Sequence, residues 1–270
     1  VYGHKPTVNI LRSRGVLWPG ELAEDDLCVI GPLARSADDL EVALQVMAGP
    51  DPQEAVGWRL ELPAAPRRRL SDFKVGVMLT DPNCVQDDAL TGQLQNTVDA
   101  LARAGVTVVE GARPAIDTVD AFRTYLLLLR SATGAHTTAD EFAEHAARAA
   151  TADPDDWSYR TVVDRGVALS HYDWLALNEK RYRMMEAWDA WFGEYDLLLC
   201  PIAASTAFPH DQAGERADRT IPINDGRQPV TDQLFWAGYP NMAYLPSTVA
   251  PAGLVGCLLY TSPSPRDKTV

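Results

Sequence analysis

The apolar positions of the chain change period along its length, and the changes mark out its elements. After Ser36-Ala-Asp-Asp39, which resembles a capping box with Asp in the place of Glu, Leu40, Ala43, Leu44 and Met47 recur at helical spacing until Gly49-Pro50 stops the run. Residues 51–72 carry Pro52, Pro63, Pro66 and the triplet Arg67-Arg-Arg69, and read as a surface connection. An apolar strand (73–79) follows, then a helix (87–104) with Leu90, Leu94, Val98 and Leu101 on one stripe. Gly105 stops that helix, and a second strand occupies 106–109. This is a β-α-β order, for which parallel strands and a right-handed crossover are the default.

Further helices are predicted over 115–132 and 137–150. Ser170 caps a long one that runs to Phe192, and its Trp- and Met-rich stripe suits core packing better than a cofactor box. Residues 195–201 read as a buried strand ended by Pro201. Another strand is expected over 241–249, after an aromatic turn at Phe235-Trp-Ala-Gly-Tyr-Pro240. The alternation gives an α/β class, with helices covering a sheet.

Composition narrows the picture. With 270 residues, 46% of them hydrophobic and 23% charged, the chain sits in the ordinary globular range. A mass of 29.5 kDa folds to about 11,500 Å² of accessible surface from about 43,000 Å² unfolded, enough burial for a core without disulfide or metal staples. No apolar run is long enough to cross a bilayer, so no membrane partner is expected. The formal charge of −13 repels a phosphate backbone, so no nucleic-acid partner is expected either. Cys28, Cys84, Cys200 and Cys257 are scattered without C-x-x-C spacing, which fits a reduced, cytoplasmic compartment.

Residue chemistry alone yields no self-contained catalytic constellation. The five histidines (4, 136, 145, 171 and 210) show neither i, i+4 pairing nor an H-E-x-x-H motif, and read as surface or packed side chains. A G-x-S-x-G elbow is absent; Ser205, His210 and Asp211 share one loop and read as a turn cluster. No phosphate-cradling glycine loop occurs, and Arg67-Arg-Arg69 reads as a solvated segment.

Four segments, in order, resemble the amidase signature family. Val1-Tyr-Gly-His-Lys-Pro-Thr7 is similar to the stretch that closes its signature block. Ile30-Gly-Pro-Leu-Ala-Arg-Ser-Ala-Asp-Asp-Leu40 with Ala48-Gly-Pro-Asp51 is similar to its GPMAR…DL…AGxD segment. Asp196-Leu-Leu-Leu-Cys-Pro201 resembles its D-x-L-L-x-P strand. Ala237-Gly-Tyr-Pro-Asn-Met-Ala-Tyr-Leu-Pro246 with Ala250-Pro-Ala-Gly253 resembles its A-G-x-P…P-A-G-L block.

The resemblance implies a mixed twisted β-sheet covered by helices on both faces, and hydrolysis of a carboxamide C–N bond through an acyl-enzyme. Members use a Lys, a bridging Ser and a nucleophilic Ser, with neither metal nor organic cofactor. All three precede the position matched by Val1, so no catalytic residue is assigned within this chain; Lys5, Ser13, Ser36 and Ser205 do not match them. Residues 1–254 are expected to be the C-terminal part of one amidase domain. Residues 255–270, which match nothing in the family pattern, are expected to be a non-native or disordered tail.

Phe235, Trp236 and Tyr239 are then candidates for substrate contact in an acyl pocket, against the alternative of core packing. Asp232 is a candidate anchor for an amino-bearing substrate, against the alternative of a helix cap. The expected partner is a small-molecule amide, and a homodimer is admissible. Two other roles stay open: a catalytically silent binding or assembly fragment, and part of the amidase-like subunit of a tRNA-dependent amidotransferase.

Overall fold

A computed structural model describes residues 1–12, 23–65, 67 and 69–255. Ser13, the middle of the arginine triplet, Cys257 and nearly all of the expected tail lie outside the described residues.

Side-chain caps begin the helices much where the residue pattern places them. Helix α1 (Ala37–Met47) starts as the Ser36 hydroxyl accepts from the Asp39 N–H at 3.1 Å, and it ends before Gly49, whose φ of +142° only glycine adopts without strain. In α2 (Asp88–Arg103) the cap is Asp87, and in α3 (Thr118–Gly134) it is Asp117. Thr138 and Glu141 form a reciprocal capping box on α4 (Ala139–Thr151). Ser170 caps α6 (His171–Phe192), the longest helix among the described residues.

The strands form small sheets. Strands β1 (Tyr2–Lys5), β2 (Leu33–Ala34) and β8 (Ser247–Val249) pair antiparallel in the order β2-β1-β8. Strands β3 (Lys74–Val77), β4 (Thr107–Glu110) and β5 (Leu197–Leu199) pair parallel in the order β4-β3-β5, so the β-α-β unit 74–110 is as expected. A hairpin, β6 (Thr220–Ile223) and β7 (Gly226–Pro229), turns at Asn224-Asp225. The fold is mixed α/β, and the mixed sheet is present as these pieces.

Two segments differ from expectation. Tyr159–Val167 forms helix α5, which its β-branched, Gly-containing sequence does not announce. It is held by packing: a Cβ on Gly166 would stand 2.3 Å from the Arg130 Cβ, so only glycine lets α5 and α3 approach so closely. The aromatic turn over 235–240 is instead part of helix α7 (Leu234–Met242), and the strand expected over 241–249 is confined to β8. Pro240 reads as a breaker in sequence but sits in the last turn of α7, where it removes one intrahelical N–H donor and the helix stops at Met242. Gly238 lets α7 lie against α3, since a Cβ there would meet the Tyr125 ring at 2.3 Å.

One core cluster gathers α3, α5, α6 and α7 around Tyr125, Leu128, Val162, Met184, Trp188, Phe235 and Trp236. A second lies between α2 and the parallel sheet, on Val75, Val77, Leu79, Val98 and Val106. The stripe of 87–104 seen in sequence supplies this second cluster.

Candidate functional site at the carboxyl ends of β3 and β5

In the order β4-β3-β5 the chain leaves β3 toward β4 on one side, while β5 lies on the other. The loops following β3 and β5 meet, Gln86 and Asp87 donating to the Ala203 and Ala204 carbonyls, and the carboxyl ends of parallel strands are where open α/β sheets place ligands. The loop after β3 supplies Asp81, Cys84 and Gln86, and the loop after β5 supplies Cys200 and residues 203–206. Helix α7, with the short helical turn Val230–Gln233 before it, reaches the same place, as the hydrogen bonds below show.

Two hydrogen-bond networks set the geometry. In the first, buried Asp81 accepts from Arg113 Nη1 at 3.0 Å, from the Thr118 hydroxyl at 3.0 Å and from the Asn83 N–H at 2.9 Å, so its charge is matched by a cation and two donors. In the second, the Trp236 indole N–H donates to Gln86 Oε1 at 2.8 Å, and Gln86 Nε2 donates to the Ala203 carbonyl at 3.2 Å. Gln233 takes the Ala204 N–H at 3.0 Å and donates to the Ser205 hydroxyl at 2.9 Å, while the Ala204 carbonyl accepts from the Asp87 N–H at 2.8 Å. Asn224, at the hairpin tip, accepts from the Asp88 N–H and donates to the Gln86 carbonyl.

The structure brings the four sequence candidates together on one short segment but gives them different surroundings. Phe235, Trp236 and Tyr239 are 3%, 1% and 4% exposed, and they pack on Phe122, on one another and on Trp188. Tyr239 differs from the other two because its buried hydroxyl has no hydrogen-bond partner among the described residues. Asp232 is half-buried and is neither a side-chain cap nor a member of an ion pair among the described residues. Burial alone pushes its carboxyl above the usual carboxylate range.

Nucleophiles are scarce here. Cys84 is pushed up to about 12 by burial and by the nearby charges of Asp232 and Asp81, and Cys200 to about 12 by burial. Both thiols stay protonated at neutral pH and are poor nucleophiles. Ser205 is engaged by Gln233 and by the Thr206 carbonyl, and Asp211 closes a turn on the Ala213 N–H. Ser36 serves as the cap of α1. Lys5 stands on β1, lowered to about 8 by burial, and donates to the Pro6 carbonyl. Among the described residues no group of three or more His, Cys, Asp or Glu is placed to hold a metal ion.

Gln86, Gln233 and Asn224 carry no signal in the sequence pattern that would single them out as site residues. Gln86 directly precedes the Asp87 cap of α2, at the far end of the loop that leaves β3; nothing local distinguishes Gln233 or Asn224. Two open cavities of about 430 Å³ each lie elsewhere, one lined by Leu11, Ile30, Met47 and Pro52, the other by Ser131, Phe142 and Val167.

A family model described as Amidase matches residues 1–262. A glutamyl-tRNA(Gln) amidotransferase subunit from Acaryochloris marina is 28% identical over 260 residues, covering 83% of this chain and 51% of that protein. Indoleacetamide hydrolase of Bradyrhizobium japonicum is 26% identical over 230 residues, covering 83% and 45%. The chain thus spans about half the length of the curated relatives it matches. A bacterial aryl acylamidase structure superposes with a TM-score of 0.64 at 18% identity, covering 94% of this chain and 52% of its own. Fatty acid amide hydrolase superposes with a TM-score of 0.61 at 15% identity, covering 92% and 40%. With its four signature-like segments in order and this match across nearly its whole length, the chain belongs to the amidase signature family.

Proposed function

We propose that this chain is the C-terminal part, residues 1–254, of a longer hydrolase that cleaves a small carboxamide through an acyl-enzyme. The observation that carries the reading is the family match over residues 1–262, alongside relatives about twice as long. The catalytic Lys and the two Ser then belong to the rest of the protein. A buried lysine kept neutral draws a proton through the bridging Ser, the second Ser attacks the carbonyl, and backbone N–H groups stabilise the oxyanion before water releases the acid.

This chain's part is the wall of the acyl pocket at the carboxyl ends of β3 and β5. Asp232 is the group of the four that keeps an exposed face, and it takes an amino or cationic substituent of the substrate. Phe235, Trp236 and Tyr239 shape that wall from within, with the Tyr239 hydroxyl, unpartnered among the described residues, as a donor for a polar atom that enters. A cytoplasmic setting and a homodimer complete the proposal.

The test is a KM comparison in the longer protein between neutral amides and amides bearing an amino group. Asp232→Asn is expected to raise KM for the amino-bearing series only. Equal effects on both series would remove Asp232 from substrate recognition.

A second reading is favoured by the relatives that are glutamyl-tRNA(Gln) amidotransferase subunits, 28% identical in Acaryochloris marina and 26% in Gloeothece citriformis. The charge of −13 in this part works against a tRNA-bound role. Hydrolysis of simple amides without tRNA or partner proteins would decide for the hydrolase; activity only in a complex would decide for the amidotransferase.

A further inference from the structure

The side-chain amide of Gln86 bridges Trp236 of α7 and the loop after β5, beside the direct link that Gln233 makes to Ala204 and Ser205. Its oxygen holds the Trp236 indole N–H at 2.8 Å and its nitrogen holds the Ala203 carbonyl at 3.2 Å. The Gln86 backbone carbonyl takes the Asn224 amide, which ties in the β6-β7 hairpin. Gln86 is itself buried, so water cannot replace either partner without opening the site.

We infer that Gln86 is a positioning residue that sets where Trp236 and the 203–206 loop stand relative to each other, and so which acyl groups the pocket wall admits. The inference rests on the hydrolase reading above for its substrate consequence. It rests on geometry alone for the coupling of Trp236 to the loop.

The two ends of the amide make distinct demands. Glutamate at this position keeps the acceptor for the indole but, when ionised, loses the donor to Ala203. Leucine, of similar size, loses both: the Trp236 indole N–H is left with the Cys84 thiol, a weak acceptor, and the Ala203 carbonyl loses this donor. Phenylalanine at 236 keeps most of the ring bulk and removes only the indole donor. Because Gln86 touches two elements rather than the substrate, its loss shifts the shape of the wall and spares the reacting atoms. The effect falls on KM and on the order of acyl preference, with the rate of the chemical step preserved.

The experiment uses the longer protein labelled with ¹⁵N at tryptophan, the Trp236 indole signal being assigned from Trp236→Phe. In Gln86→Leu that indole N–H is expected to lose exchange protection by at least about tenfold, while Gln86→Glu retains most of it. In parallel, anilides of short and bulky acyl groups are compared. Gln86→Leu is expected to change the ratio of their KM values by about tenfold with kcat within about threefold, and Trp236→Phe to change it in the same direction. An unaltered indole signal in Gln86→Leu would overturn the coupling. A uniform fall in kcat across all acyl groups, or a KM ratio that does not move, would overturn the positioning role. Absence of hydrolysis by the unsubstituted protein counts against the hydrolase reading instead, and the indole signals still decide the coupling.

Discussion

The α6-α7 wall and the outer sheet β2-β1-β8 are made by the same chain but hold together differently. Around α7, aromatic side chains close on each other: Trp188 lies 5.1 Å from the Tyr239 ring, and Phe235 packs on Phe122 and Trp236. Around the outer sheet, Leu33, Val46 and Val56 are 78%, 81% and 91% exposed, and α1 buries little beyond Leu40. Among the described residues, cohesion there comes from strand pairing, from His4 bonded to Thr248 across β1 and β8, from His136 paired with Asp25, and from a polar cluster on Asp26. Arg181 of α6, almost wholly buried, holds both oxygens of Asp26 at 3.0 and 2.9 Å, stacks 4.3 Å over the Tyr244 ring, and binds Asn178. The Tyr244 hydroxyl closes the cluster on Asp26. Asp26 precedes β2 and Tyr244 precedes β8, so the cluster anchors the outer sheet through the segments that feed two of its three strands. A wall closed by aromatic packing draws its stability mainly from that packing; a sheet held by strand pairing and polar side-chain contacts depends on those contacts, the Arg181–Asp26 pair among them.

This contrast predicts a ranking of variants. Trp188→Ala removes the ring at the centre of the wall and should cost about 3–5 kcal/mol in denaturant unfolding of the longer protein. A loss below about 1 kcal/mol would mean the wall is not the dominant core. Arg181→Met leaves Asp26 without its cation and should cost about 3 kcal/mol. The same change should raise hydrogen exchange in β1 and β8 before it does so in α7; uniform exchange would show that the outer sheet and the wall are one cooperative unit.

Asp232→Asn tests the electrostatics of the wall. The folded carboxyl titrates above its unfolded value, so its charged form weakens the fold at pH above the folded value, and the penalty vanishes as pH falls below about 4. The variant should therefore melt slightly higher than the parent at neutral pH and equally at acidic pH; a lower midpoint at neutral pH would reveal a stabilising partner for the carboxylate. Val46→Lys, on the open face of α1, should change stability by less than about 0.5 kcal/mol. A larger loss would show that this face is covered in the working protein.

The legible parts of the molecule are those fixed by local chemistry. Ser36, Asp87, Thr138 and Ser170 each start a helix by accepting a nearby N–H, and the period of Leu90, Leu94, Val98 and Leu101 places α2 on the sheet. Helix α7 reads as a turn in sequence because Gly238 and Pro240 are breakers by local rule, while packing against Tyr125 and the closing helix end make both acceptable. Helix α5 escapes the local pattern for the same reason, its Gly166 being selected by contact with α3. At the candidate site, the aromatic segment is visible in sequence, whereas Gln86, Gln233 and Asn224 matter only because distant loops meet at the ends of β3 and β5.

The most direct test of the account is amide turnover by two proteins in parallel: the 270-residue chain, and the longer protein that contains it, each given the same aryl and aliphatic carboxamides with release of the acid followed. The account predicts turnover by the longer protein and none by the chain alone, because the Lys and two Ser proposed to attack the carbonyl belong to the rest of the longer protein. Turnover by the 270-residue chain would contradict it.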